Sequence, residues 1–297
     1  MKKNLTVSVI IPAYNAEVTI ARALDSVMAQ TYLPAEVIVV NDGSSDNTSD
    51  VVEGYSSAIP LRLIEVPNGG PARARNTAID AAIGDWLAFL DADDLWISKD
   101  KLALQISVAE EHPGATVIDT FAEIYWDEAR TNINRYIKKD DALSLLMKKN
   151  IINATSSVLA KTETVKEVGG FDPSLRFGED RLLWANLAKR GEVHTVENVC
   201  IFKENSETNL TAKGLANIDY REQLVKKLLA LKPVSRSEER KLWLVNYEEF
   251  LRKALKNKRF DLYNLIAIRT YKKSGVQFLL SRYSLYFIAS LLISKLK

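Results

Sequence analysis

An α/β fold on a mainly parallel sheet is the class this sequence predicts, and three observations predict it. Short apolar runs recur through the first 120 of 297 residues, at Val7–Ile11, Val37–Val40, Leu61–Val66 and Trp86–Leu90. Stretches with helical spacing of apolar residues separate them, which is the signature of βαβ units. Some runs, Val37–Val40 above all, are apolar without a break, as in parallel strands covered on both faces.

The elements follow in order. Val7–Ile11 is a strand that ends at Pro12. Thr19–Gln30 sets Ile20, Ala23, Leu24 and Val27 on one helical face. Glu36–Val40 is the second strand, and Asp46 or Thr48 caps a helix reaching Ser57. Leu61–Val66 is the third strand. Asn68-Gly69-Gly70 forms a loop, and Pro71 suits the first turn of the next helix. Trp86–Leu90, a helix over Lys99–His112 and a strand over Thr116–Phe121 complete the series. Residues 122–150 spell a polar connection and an amphipathic helix, and Asn153–Leu159 a further strand. A short helix over Thr162–Val168, the turn cluster Gly169–Pro173 and a helix over Glu179–Arg190 follow. Beyond about residue 215 the pattern turns helical and basic, so the expected division is 1–215 and 216–297.

Composition narrows the class. The length supports a large core without covalent staples. One cysteine, Cys200, excludes an internal disulfide and a cysteine-based zinc site. Two histidines, His112 and His194, exclude a histidine-rich metal centre, and both are expected to be structural. The net charge of +2 conceals an asymmetry. Residues 1–219 carry 22 Lys+Arg against 32 Asp+Glu, whereas 220–297 carry 18 against 6. An acidic body and a basic tail point to different partners for each. The Val7–Ile11 run is too short and too early interrupted for a signal peptide, and no stretch reaches spanning length. The expectation is a cytoplasmic protein that binds no nucleic acid.

Carboxylates gather where predicted strands end. Asp42 follows Val37–Val40, and Asp91 and Asp93 follow Leu87–Leu90. Ligands of open parallel sheets bind beyond those ends. A single loop aspartate is commonly a turn or cap residue, which is the expectation for Asp46 and Asp94. Two close carboxylates repel unless a cation lies between them. A hard divalent ion that also binds phosphate oxygens suits such a pair.

The motifs together resemble those of family 2 glycosyltransferases. They are Ile11-Pro12-Ala13-Tyr14-Asn15-Ala16-Glu17, Val40-Asn41-Asp42-Gly43-Ser44, Ala74-Arg75-Asn76, Leu90-Asp91-Ala92-Asp93-Asp94, Gly169-Gly170-Phe171-Asp172, and Glu179-Asp180 with Trp184. They cover residues 7 to about 210 in the family's order. The resemblance implies a GT-A nucleotide-diphospho-sugar transferase fold and an inverting transfer of sugar to a hydroxyl. It implies that Pro12, Ala13, Tyr14 and Glu17 border the nucleoside and that Asp42 accepts from a uracil ring. By the same resemblance Arg75, Asp91 and Ala92 lie at the nucleotide-sugar, Asp93 binds Mg2+ or Mn2+ directly, and Asp180 is the general base. The implied partners are a UDP-sugar and a saccharide or lipid-linked oligosaccharide acceptor, in bacterial surface polysaccharide synthesis.

The residues depart from the family pattern at several points. Where the family often has Tyr-Arg-x-His, this chain has Phe202-Lys203-Glu204-Asn205, which leaves the third metal ligand open. Leu182 and Asn186 replace common acidic and Arg positions, so acceptor identity does not carry over. Glu179 and Asp180, as helix neighbours, are expected to diverge. Trp96, Trp126 and Trp184 are aromatic enough to stack on sugars, with core packing favoured for Trp184. A nucleotidyltransferase is the competing enzyme class, but Pro12-Ala13-Tyr14-Asn15 stands where that class carries a Gly-rich basic loop. A non-catalytic glycan-binding or assembly subunit of the same fold is the other alternative. The tail combines Lys253, Lys256, Lys258, Arg259, Lys272 and Lys273 with Phe278, Leu279, Tyr283, Tyr286, Phe287, Leu291 and Leu292. It is expected to lie on the anionic inner face of the cell membrane, interrupted by serines and Arg282 rather than spanning.

Overall fold

Four parallel strands carry the site: β1 (Val7–Ala13), β2 (Glu36–Asp42), β3 (Leu61–Val66) and β4 (Trp86–Phe89). Their order is β3-β2-β1-β4, with Val9 opposite both Val37 and Ala88. Every residue of β2 and β4 is buried, because helices cover both faces. The computed structural model describes residues 4–127, 130–134, 141–152, 154–204, 218–256 and 258–287. These fall into two compact units. The first draws on Met1–Leu143, Ile151–Ser174 and Glu179–Glu207; the second on Ser144–Asn150, Leu175–Gly178 and Thr208–Lys297.

In the first unit, α1 (Ile20–Met28) buries Ile20, Ala23, Leu24 and Val27, the face its spacing predicts. α2 spans Thr48–Glu53 and α3 spans Pro71–Ala81, with Pro71 in its first turn. α2 stops short of Ser57, whose hydroxyl bonds the Ile59 backbone and makes a turn instead. The chain continues through β5 (Leu95–Trp96), α4 (Lys101–Glu111), β6 (Ala115–Asp127), β7 (Arg130–Asn134) and α5 (Ala142–Lys148), most of which belongs to the second unit. Then come β8 (Leu159–Lys161), α6 (Thr162–Glu167), α7 (Glu179–Ala188) and β9 (Glu192–Glu204). The sheet extends β4-β8-β6-β9-β5, with β7 on β6. β8, β5 and β7 are antiparallel to their neighbours, while β6 and β9 are parallel. The sheet is therefore mixed.

Two stretches differ from expectation. β6 continues past Phe121 to Asp127, because β9 and β7 pair with its second half and Ala122 and Ile124 join the core. That segment is an alternating strand rather than a polar connection. The predicted strand over 153–159 is instead a 3₁₀ turn, Thr155–Ser157, followed by β8. All three hydroxyl residues of that turn are buried, so their placement needs polar partners nearby. Asn153 lies outside the described residues.

The second unit holds α8 (Ile218–Leu229), α9 (Arg236–Lys256), α10 (Phe260–Ser274), α11 (Val276–Leu279) and helical residues 282–287. Trp243, Tyr247, Phe250, Leu251, Tyr263 and Ile266 form its core. The Arg221 guanidinium lies over the rings of Phe177 and Phe250 and donates to Glu249. Phe278 and Tyr283 belong to this core too, which corrects their assignment to an outer apolar surface. Phe287 packs partly against it, while Leu279 and Tyr286 are exposed. Ser290, Leu291, Leu292 and Ser294 lie outside the described residues. Among the described residues no helix is long and apolar enough to cross a membrane.

The core of the first unit contains an ionisable amine. Lys101 is fully buried beneath the sheet, its Nζ 2.8 Å from Gln105 Oε1 and 4.1 Å from the centre of the Trp96 ring. Burial lowers its pKa to about 7, against a small opposing effect of Cys200. The free value is near 10.4, so the unfolded chain holds the extra proton between these limits. Stability therefore rises with pH from about 7 toward 10, by at most about 1.4 kcal/mol per pH unit. Urea unfolding at pH 7.0, 8.0 and 9.0 is expected to show this slope, and Lys101→Met to flatten it. An unchanged slope in the variant refutes the assignment.

Candidate active site

The loops at the carboxyl edge of the sheet are stitched to one another by polar contacts. β2 ends at Asp42, where Gly43 adopts φ +69° and a Cβ there would lie 2.8 Å from the Asn68 nitrogen. Only glycine permits that approach. Asp42 is buried, and its two carboxylate oxygens accept the N–H groups of Gly69 and Gly70 at 2.7 and 2.8 Å. The loop after β1 is tied to the loop before α2. Asn15 Oδ1 accepts the Ser45 N–H, Ala16 N–H donates to Thr48 Oγ1, and Glu17 accepts from Asn47. Asp46 accepts from the backbone of Thr48 and Glu17, so it serves the turn as expected. Pro12 is half-buried, Ala13 is buried and Tyr14 stands 55% exposed, leaving its ring open to a ligand.

β4 delivers the acidic turn. Pairing with β1 ends at Phe89 opposite Ile10, after which Leu90 still donates to Ile10 O. The chain then turns, with Asp94 N–H bonded to Asp91 O at 3.0 Å. Carboxylate oxygens of Asp91, Asp93 and Asp94 lie within 4.8 Å of one another. Asp93 is the exposed member, Asp91 is half-buried, and Asp94 and Ala92 are buried. Ala92 packs in the hydrophobic core, so any ligand contact there is through its backbone.

Cations and hydroxyls hold this cluster together. Arg75, on α3 and buried, places NH2 2.5 Å from Asp91 Oδ1. Lys203, near the end of β9, lies 3.2 Å from Asp94 Oδ2 and 3.6 Å from Asp91 Oδ2. Ser156 donates to Asp94 and accepts the Asp91 N–H, and its carbonyl takes the Trp96 indole N–H. Burial alone drives all three carboxyl pKa values up. At Asp91 the charges of Arg75 and Lys203 outweigh it and hold the pKa below the usual carboxylate range. At Asp93 burial and the Asp91 charge prevail, and at Asp94 burial prevails despite Lys203, so both are raised. The same carboxylates keep Lys203 protonated despite its burial. Asp94 is thus no simple turn residue, which corrects the sequence expectation. The oxygen-only donor set fits a hard divalent cation.

Arg75 also reaches the other side of the site. Its NH1 is 3.8 Å from Glu179 Oε1 at the start of α7, and its guanidinium stands 5.1 Å from the Phe171 ring centre. Burial, then the neighbouring Asp180 charge, raises the Glu179 pKa. Asp180 Oδ1 accepts the Arg181 N–H at 2.6 Å, so the two acids take different partners while remaining electrostatically coupled. Asn76 joins two motifs far apart in sequence. Its side chain donates to Phe171 O at 2.7 Å and accepts from Phe171 N at 2.8 Å. Gly170, at φ +68°, would place a Cβ 2.4 Å from Asn76 Oδ1. Phe171 then meets Phe89 and Trp184 edge to face. Trp184 and Trp96 are buried and unavailable to a sugar, and the side chain of Trp126 lies outside the described residues, as does Asn205.

A cavity of about 250 Å³ borders Gly169–Pro173, Leu182 and Asn186, beside this pair of motifs. A larger one, about 540 Å³, lies at the start of β3 and takes in none of Asp42, Asp91, Asp93, Asp94, Glu179 and Asp180. The chemistry follows the carboxylates rather than the larger volume.

Sequence reasoning missed Ser156, the pairing of Arg75 with Glu179, and the Asn76–Phe171 clasp. Runs of hydroxyls such as Thr155-Ser156-Ser157 inside an apolar stretch are the one signal that pointed to the first.

Sheet order and acidic carboxyl edge define a GT-A fold. Staphylococcus aureus TarS (residues 1–349, with UDP-GlcNAc) shares it with a TM-score of 0.68 at 20% identity, over 92% of this chain and 83% of that one. The mannosyltransferase PcManGT of Pyrobaculum calidifontis, with GDP-Man and Mn2+, matches with a TM-score of 0.61 at 21% identity, over 99% and 89%. At such identities the likeness is one of fold. The profile of glycosyl transferase family 2 matches residues 8–168, and the chain belongs to that family. A UDP-Glc:alpha-D-GlcNAc-diphosphoundecaprenol beta-1,3-glucosyltransferase, WfgD of Escherichia coli, is 50% identical over 103 residues, 34% of this chain and 40% of WfgD. The putative teichuronic acid biosynthesis glycosyltransferase TuaG of Bacillus subtilis is 32% identical over 201 residues, 66% of this chain and 77% of TuaG. Against WfgD and an uncharacterized glycosyltransferase of Rickettsia felis, the match spans only 40% and 31% of the relative's length.

The Asn76 clasp yields a stability prediction. Asn76→Ala removes two hydrogen bonds and strands the Phe171 backbone groups. A loss of about 2–3 kcal/mol is expected in urea unfolding, whereas Thr77→Ala, on the exposed side of α3, serves as the near-neutral control. A loss below about 0.5 kcal/mol in Asn76→Ala contradicts the proposed join.

Proposed function

We propose that this chain is an inverting glycosyltransferase that moves a hexose from a UDP-sugar to a hydroxyl of a lipid-linked saccharide, in bacterial surface polysaccharide synthesis. The observation that carries this reading is Arg75, one buried guanidinium shared between Asp91 and Glu179. It ties the acidic turn to the acid pair at the start of α7, so a diphosphate-bound sugar and a base fit on either side of it. Asp93, with Asp91, would hold Mg2+ or Mn2+, which when bound neutralises charge developing on a diphosphate leaving group. Lys203 lies against the same carboxylates and is within reach to add a positive charge there. Asp180 takes the proton of the acceptor hydroxyl as it attacks. Attack from the face opposite the departing diphosphate inverts the anomeric centre. Pro12, Ala13, Tyr14, Glu17 and Asp42 border the nucleoside, with Tyr14 free to stack. Asp42 already accepts two N–H bonds but retains lone pairs for a uracil N–H. Arg75, Asp91 and Ala92 line the rest of the donor.

WfgD supports UDP and a diphospholipid-linked acceptor by its name, and TuaG supports a polysaccharide product. GDP-Man in PcManGT keeps the base a matter for experiment. The test is release of nucleoside diphosphate from UDP-Glc, UDP-GlcNAc and GDP-Man, with and without a saccharide acceptor. Asp180→Asn is expected to slow transfer by on the order of 100- to 10,000-fold. Asp93→Asn and chelation with EDTA are each expected to abolish it. Normal transfer in Asp180→Asn refutes the base assignment, full activity after chelation refutes the metal, and binding without turnover favours a glycan-binding subunit.

A peripheral place at the inner face of the membrane belongs to the same proposal. The second unit exposes Leu265, Ile268 and Tyr271 on α10 and Leu280, Leu285 and Tyr286 beyond it, amid exposed Lys272 and Lys273. Each basic side chain near an anionic surface contributes about 1 kcal/mol. The chain is expected to pellet with anionic vesicles at low salt and less at high salt. Phe278 and Tyr283 are core residues and are left in place, and Leu280→Glu with Leu285→Glu, both exposed, is expected to stay in the supernatant. Failure of the unaltered chain to pellet at low salt refutes this part.

A further inference from the structure

We propose that His112, Glu192 and His194 form a surface site for one borderline divalent transition-metal cation, of which Zn2+ is the type, separate from the acidic site. The chain's two histidines lie only 18 and 9 residues from Asp94 and Lys203 in numbering, yet they meet at the other end of the sheet. His112 follows α4. Glu192 and His194 open β9 and, two apart on a strand, project to the same side. Asp91 and Lys203 belong to the opposite, carboxyl-terminal edge. Along β9 alone the nine steps from His194 to Lys203 correspond to about 30 Å.

The backbone holds the three residues in place. His112 O accepts the Ala115 N–H at 2.9 Å, and Gly114 O accepts the Glu192 N–H at 2.9 Å. Ala115 and Ile118 sit opposite Glu192 and His194 in the parallel β6–β9 ladder. Two glycines make the approach possible. A Cβ on Gly191 would lie 2.5 Å from Gly114 O, and one on Gly114 would press within 3.3 Å of Glu192 Oε1.

The side chains converge on one oxygen. Glu192 Oε2 lies 2.8 Å from His194 Nε2 and 3.9 Å from His112 Nδ1, and one donor atom from each residue falls within 4.8 Å of the others. Around zinc, bond lengths near 2.0–2.1 Å put tetrahedral donors about 3.3 Å apart. The observed separations bracket that edge, so His112 closes and His194 retreats by a fraction of an ångström. The rings are now stacked, 4.0 Å between centres and 25° between planes. An ion must lie in the plane of each ring it binds, so binding requires the rings to turn. His112 and Glu192 are exposed and His194 is half-buried, which leaves that rotation and the remaining coordination positions open to water. A mere ring stack gives no reason for one carboxylate to face both nitrogens.

The donor sets separate the two sites by metal. Two imidazoles and a carboxylate favour zinc, nickel or copper, whereas the all-oxygen cluster of Asp91, Asp93 and Asp94 favours magnesium or manganese. A bound ion would tie the end of α4 to β9 and raise the melting temperature with concentration.

The test uses the full chain without an affinity tag, in excess Mg2+ to keep Zn2+ off the acidic cluster. With only two histidines, the imidazole carbon-bound proton signals report the site directly. One equivalent of Zn2+ is expected to shift both together and to raise the melting temperature. His112→Gln and His194→Gln are each expected to weaken Zn2+ binding at least tenfold by calorimetry, with metal-free melting temperatures unchanged. Imidazole signals that do not move at one equivalent overturn the site. So does Zn2+ affinity within twofold of the unaltered chain in the His112→Gln/His194→Gln double variant.

Discussion

A buried guanidinium governs the site. Arg75 is buried on α3, where its charge is supportable only because Asp91 and Glu179 lie against it and the Phe171 ring faces it. The dependence is mutual. Burial works against the charged form of Arg75, and the two carboxylates more than compensate. Without the guanidinium, Asp91 and Glu179 would be close acids with little solvent. Four segments from two distant stretches of the sequence must therefore arrive together: α3 and the turn after β4, with the Gly-Gly-Phe turn and the start of α7.

Packing enforces that arrival. Asn76, the residue after Arg75, clasps the Phe171 backbone through both its amide groups. Phe171 in turn wedges between Phe89 and Trp184, on β4 and α7. One apolar cluster thus aligns the strand that bears the aspartates and the helix that bears the acid pair. The polar contacts are made above it, at the edge where a ligand has access.

Lys203 gives the acidic turn a resident cation. It answers Asp91 and Asp94, while Asp93 stays exposed at the rim. Charge is therefore partly balanced before any ion binds, which lets three carboxylates share one turn. The same strand, β9, begins at Glu192 and His194, where the donors are softer and the surroundings wetter. Ligand type distinguishes the two ends of that strand more sharply than charge does.

Sequence alone was enough for the fold class, because alternation of apolar strands and amphipathic helices is a local property. The positions of Asp42, Asp91 and Asp93 at strand ends, and family membership, were legible for the same reason: short motifs in fixed order. The sheet's antiparallel members were not. Leu95–Trp96 and Arg130–Asn134 are strands because partners lie beside them, and no periodicity of their own marks them. Likewise Asp94 looked like a turn residue until Ser156 and Lys203, 62 and 109 positions away, closed on it. Phe278 and Tyr283 looked like membrane anchors until other helices of their unit covered them. Motif order is written along the chain, but burial and pairing are decided by what folds against each residue, and only the tertiary structure supplies that.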